Sequence, residues 1–69
     1  MKKFTITVLT STTTRTNVYS DNLEEVKCAA QRATYFQVIS CRVYDNTGSR
    51  EDPLIFESRN GVVIIPFKD

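Results

Sequence analysis

Cys28 and Cys41 are the only thiols of the chain, and its 69 residues include no histidine. The commonest general base and metal ligand is therefore missing, and with it every Cys-His and Ser-His pair, so a catalytic site is not expected. Cys28 falls on the polar side of a predicted helix with no motif that lowers a thiol pKa, which reads as a spectator thiol. Cys41 alternates with Ile39 and Val43 and reads as a small buried hydrophobe. The two are expected to stay unbonded, because their Cβ vectors should diverge. Asp45, Glu51 and Asp52 do not have the ordered spacing of an EF-hand loop, so no metal site is expected. Gly48 and Gly61 are isolated turn glycines with no phosphate-cradling pattern around them, and no cofactor is expected either.

What remains is binding. Nine Lys and Arg against eight Asp and Glu give a formal net charge of +1, with a calculated pI near 7.8. Nucleic-acid modules usually carry a marked basic excess, because neutralising phosphates supplies most of their affinity, so this balance disfavours a nucleic-acid partner. Lys2 and Lys3 lead into the alternating Phe4-Thr5-Ile6-Thr7-Val8 instead of a continuous apolar stretch, so an export signal is not expected. The longest apolar run, Val62 to Phe67, is far shorter than the ~20 residues that cross a bilayer. The expectation is a cytoplasmic domain with reduced thiols and no membrane partner. Its length allows one domain, residues 1–69.

The elements that must carry any binding residues follow from periodicity. Phe4 to Leu9 alternates as a half-buried strand, and the Thr-rich stretch from Thr10 to Thr14 is expected to bend into a second strand at Arg15 to Tyr19. Thr14, Thr16 and Val18 would face inward there. Asp21 with Glu24 three residues later suggests a capping box, opening a helix that Tyr35 and Phe36 close. Its inward stripe would be Leu23, Val26, Ala29, Ala30 and Ala33. Gln37 to Tyr44 reads as strand three, with Ile39, Cys41 and Val43 in the core. Turn chemistry from Asp45 to Pro53 leads to strand four, Leu54 to Arg59. Asn60-Gly61 suits a two-residue type I′ turn into strand five, Val62 to Phe67, setting Phe56 opposite Ile65, Leu54 opposite Phe67 and Glu57 opposite Ile64. Pro66 favours a sheet edge for that strand. The fold class is therefore α+β: one helix on one face of a four- to five-stranded antiparallel sheet, element order β-β-α-β-β-β and sheet order 2-1-3-4-5.

Nothing in this layout covers the other face of the sheet, where Arg15, Tyr19, Val38, Arg42, Tyr44, Ile55 and Ile64 are expected. Tyr and Arg are the residues that most often anchor interfaces, combining contact area with directional hydrogen bonds. The candidate binding residues are Arg42, Tyr44, Val38, Tyr19 and Arg15. Two further readings compete. One is a nucleic-acid module in which Tyr19 and Tyr44 stack bases while Arg15 and Arg42 meet phosphates. The other is a homodimer joined through strand two, whose Thr-rich edge carries only Arg15 as a charged gatekeeper.

The segment from Phe4 to Tyr44 also resembles the small early proteins of T-odd coliphages that inhibit host RNA polymerase. Phe4, Thr7 and Val8 form a Phe-x-x-Thr-Val strand, Tyr19 precedes Asp21-Asn22-Leu23-Glu24-Glu25, and Phe36-Gln37-Val38 leads into an arginine-bearing strand. The resemblance implies a phage or prophage accessory protein that binds a host protein, RNA polymerase being one candidate, and modulates it. It matches Arg42 to one of the family's binding arginines, places Ser40 where the other stands, and leaves residues 45–69 without a counterpart.

Overall fold

The computed structural model describes residues 2–10 and 14–68. In chain order they form β1 (Phe4–Leu9), β2 (Arg15–Ser20), α1 (Leu23–Tyr35), β3 (Ser40–Asp45), β4 (Leu54–Arg59) and β5 (Val62–Ile65). The strands make one antiparallel sheet in the order β2-β1-β3-β4-β5. This is the α+β architecture expected from periodicity. The bend expected over residues 10–14 includes 11–13, which lie outside the described residues; the Thr10 amide does donate to the Thr14 carbonyl.

One face of the sheet carries the helix. Phe4 and Ile6 of β1, Cys41 and Val43 of β3 and Phe56 of β4 form the core with Val26 and Ala30 of the helix. Five side chains of the expected helical stripe do not share that burial equally. Val26 and Ala30 are fully buried, Ala33 packs partly against the core, and Leu23 and Ala29 are exposed. The contact is therefore a narrow line through Val26, Ala30 and Ala33, narrower than the expected stripe. Ser58 is buried on the same side and is satisfied by Thr34, whose hydroxyl lies 3.0 Å from it and also donates to the Ala30 carbonyl at 2.8 Å.

Both ends of the helix depart from expectation. Asn22, not Asp21, is the N-cap, its side-chain oxygen accepting from the amides of Glu24 and Glu25. Asp21 accepts instead from the Lys3 amide and pairs with Lys2 at 3.4 Å. At the other end the chain makes a Schellman motif: Gln37 takes the left-handed conformation with φ 55°, its amide donates to the Thr34 carbonyl, and the Val38 amide donates to the Ala33 carbonyl. That left-handed residue breaks the expected strand, so β3 begins at Ser40. It also exchanges two faces. Val38 packs against the core beside Ala33, as the hydrophobic contact of such a motif requires, and Ile39 is exposed instead of buried.

Two bulges reshape the remainder of the sheet. Val43 faces Phe56 while Tyr44 faces Leu54, which makes Ile55 an extra residue. Ile55 is accordingly buried with the core, not displayed on the open face. The Asn60-Gly61 turn forms as expected, with φ 52° and 84°. It sets Arg59 opposite Val62 and Ser58 opposite Val63, but Glu57 then faces Ile65, with Ile64 left over. The expected pairs Phe56 with Ile65, Leu54 with Phe67 and Glu57 with Ile64 are therefore displaced. Strand five ends at Ile65. Phe67, beyond Pro66, stacks on Phe56 with ring centroids 4.6 Å apart, and Lys27 lies 5.9 Å above its ring.

Candidate functional site

Alternation along β1, β2 and β3 places every second side chain on the face away from the helix. Cross-strand pairing then arranges them in rows. Tyr19, Thr5, Tyr44 and Leu54 form one row; Asn17, Thr7, Arg42, Glu57 and Ile65 form the next; Arg15, Leu9, Ser40, Arg59 and Val62 form the third. Four of the expected site residues, Arg15, Tyr19, Arg42 and Tyr44, thus share one face. Val38 does not join them, for the reason given by the Schellman turn. Tyr19 and Tyr44 stand on either side of β1, two strand spacings or roughly 10 Å apart, so the tyrosines flank Thr5 and are not in contact.

Arg42 and Tyr44 are half-buried, whereas Arg15 and Tyr19 are exposed. The difference has a cause in β4. Arg42 Nε lies 3.1 Å from Glu57 Oε2, and Arg59 Nε lies 3.0 Å from the same oxygen. The side chain of Glu57 is only 8% exposed, so one buried carboxylate holds two arginines that remain partly open to solvent. Burial alone raises the Glu57 carboxyl, but the hydrogen bonds and charges of Arg42 and Arg59 outweigh it and carry the group below its ordinary value. The hydrogen bond to Glu57, followed by interaction with the Tyr44 side chain, raises the Arg42 guanidinium further. The cluster carries one net positive charge, and the carboxylate fixes where both guanidinium groups point.

Glu57 and Arg59 were not singled out by the sequence. Their spacing of two within one strand does put them on the same face, but placing Arg42 opposite Glu57 needs the β3-β4 register, which the long connecting loop leaves open. That loop has its own anchor. Asp45 is buried and accepts from the amide and hydroxyl of Thr47, with Arg50 Nε at 3.0 Å. The Thr47 hydrogen bonds, ahead of the opposing effect of burial and the help of Arg50, draw the Asp45 carboxyl below its ordinary value. Asn46 joins the loop to β1 through the Lys3 carbonyl and Thr5 Oγ1.

Both thiols are free, Cys28 exposed and Cys41 buried, and burial pushes the Cys41 thiol up. Among the described residues no group of three or more Cys, Asp or Glu side chains is placed to hold a metal ion, and no helix is long and apolar enough to cross a membrane. Compared with known proteins, the chain matches no family model, no curated protein and no solved structure.

Proposed function

We propose that this chain is a small binding module, not an enzyme, which docks on a host protein through the helix-free face of its sheet and modulates that protein in the manner of a phage or prophage accessory factor acting in the host cytoplasm. The observation that supports this reading best is the Arg42-Glu57-Arg59 cluster beside Tyr44. A guanidinium held by a buried carboxylate has lost much of its rotamer freedom before a partner arrives, which lowers the entropic cost of using it in an interface. A nucleic-acid role is supported less well, because Glu57 already occupies the Nε donors of both arginines and offsets half of their charge.

The test starts from affinity capture on a bacterial lysate, followed by titration of the captured protein with variants. Arg42→Ala together with Tyr44→Ala opens no core cavity but takes one of two partners from the Glu57 carboxylate, so folding should weaken by about 1 to 3 kcal/mol, and binding is compared at a temperature where circular dichroism shows both proteins folded. Each truncation should weaken binding by around thirtyfold, the cost of a typical anchor residue of about 2 kcal/mol. Glu24→Lys and Gln31→Glu, on the outer face of the helix, should leave binding unchanged. Normal binding by the double variant, with loss in the helix variants, would move the site to the other side of the domain. Affinity for single-stranded nucleic acid that falls steeply with salt would replace the protein partner altogether.

A further inference from the structure

β5 ends at Ile65, and the residues after it, 66–68, belong to no strand or helix. Pro66 and Lys68 are exposed, yet Phe67 between them turns back onto the core and stacks on Phe56, with ring centroids 4.6 Å apart and planes 16° from parallel. Phe56 is 4% exposed and belongs to the core, so its ring is the floor of a slot. Lys27 of the helix lies 5.9 Å over the Phe67 ring and bounds the slot on the helix side. An apolar aromatic floor with a cation beside it is complementary to a second aromatic ring, which stacks on the one and makes a cation–π contact with the other. Phe67 shows that complement in place.

Little else holds the ring there. Pro66 has no amide to donate, and none of the turn and loop backbone hydrogen bonds among the described residues reaches 66–68. Pro66 and Lys68 line, with Leu54 and Ile55, a cavity of about 340 Å³, so this terminal strap is packed through its one ring and not along its length. A single half-buried stack with one cation–π contact favours the closed form over an open one by only about 5- to 30-fold.

We infer that the slot between Phe56 and Lys27 is a binding site for an aromatic side chain on a partner polypeptide, kept closed in the free chain by its own Phe67. The incoming ring takes the place of Phe67, and the strap is released as it enters. The occupant seen in the structure states the chemistry required: a phenyl ring on a chain whose preceding residues, Ile64, Ile65 and Pro66, carry no charge. Because the site must open first, the apparent affinity for such a segment falls below the intrinsic one by the closed-to-open ratio, the same roughly 5- to 30-fold. The slot lies on the helix side of the sheet, so this inference is independent of the role of the open face.

The probe is the strap itself supplied in trans, an acetylated and amidated peptide with the sequence of Ile64–Lys68. It is titrated into the parent and into the full chain carrying Phe67→Ala, with the NMR shifts of Phe56 and Lys27 as the readout. Phe67→Ala should bind it with a dissociation constant on the order of millimolar, as suits one buried ring on a short flexible peptide. The parent should bind it about 5- to 30-fold more weakly, and the same peptide with alanine in place of phenylalanine should bind neither. Should circular dichroism show Phe67→Ala unfolded, Phe67→Leu keeps apolar cover without a ring and should still bind the peptide more tightly than the parent does. No binding by the folded variant, equal binding by parent and variant, or binding of the alanine peptide would each overturn the inference. Loss of folding in both variants would overturn it as well, since Phe67 would then be a member of the core and not its plug.

Discussion

The β2-β1-β3 half of the sheet and the β4-β5 half are built differently. In the first, register runs without interruption through six cross-strand pairs on each side of β1, and the helix lies over it. In the second there is a bulge at each strand interface, and part of the cover comes from Phe67 stacked on Phe56. A regular ladder keeps successive side chains on alternate faces, whereas a bulge advances one strand by a residue and changes which face the next side chain meets. The first half should thus carry more of the stability, while the second carries the buried carboxylate and the apolar edge.

The sharpest test of that contrast removes one side chain from each half. Ile6 is 2% exposed under the helix, so Ile6→Ala should cost about 2 to 5 kcal/mol. Phe67→Ala removes a half-buried ring from a single stack and should cost only about 1 to 2 kcal/mol. Urea denaturation of the two variants checks the order, and an equal or reversed cost would show that the tail, not the helix, is the main cover.

A smaller effect is expected at the turn that aligns the second half. Gly61 has φ +84°, and a Cβ there would stand 2.8 Å from Gln37 Cγ. Gly61→Val should therefore destabilise by about 1 to 3 kcal/mol, from backbone strain together with displacement of Gln37. An unchanged denaturation midpoint would mean that the turn does not constrain β5.

The mildest perturbation is acid. Glu57 is held below its ordinary value of 4.5 in the folded protein. A depressed carboxylate contributes stability that is complete above its unfolded pKa and disappears as pH falls through its folded pKa. Stability should accordingly decline below about pH 4.5. Glu57→Gln should lower the urea midpoint at neutral pH, leaving Arg42 and Arg59 close together without a counter-charge, and should flatten the acid limb. The flattening is partial, since Asp45 and Asp21 are also depressed. Parallel acid limbs for parent and variant would mean that Glu57 does not couple to folding.

The same division decides what could be read from the residues. Phe4-Thr5-Ile6-Thr7-Val8 alternates without exception, and the strands, their order and the inward residues Phe4, Ile6, Cys41 and Val43 follow from such patterns, whereas Thr14, Thr16 and Val18, expected to face inward, are exposed at the edge strand. Asn60-Gly61 likewise marked its turn. Val38 and Ile39 were expected on the wrong faces, because a left-handed helix terminus is usually announced by glycine and here it is Gln37. Ile55 and Ile64 stand in unbroken apolar runs, where nothing shows which residue a bulge will set aside. Of the candidate surface, Arg15, Tyr19, Arg42 and Tyr44 were legible from alternation alone. Glu57 was not, since its meeting with Arg42 is a contact between strands separated by an eight-residue loop.

The placement of the first and last strands has a mechanical consequence. β1 lies between β2 and β3, and the segment before it is fastened at Lys3 to both Asp21 and Asn46. A force applied at Lys2 must load two ladders and those two fastenings together. β5 is held by one short ladder to β4, so the same force applied at Phe67 meets the Phe56 stack, the Lys27 contact and a few hydrogen bonds. The molecule should peel from its last strand at low tension and yield at its first strand only when the whole sheet gives way.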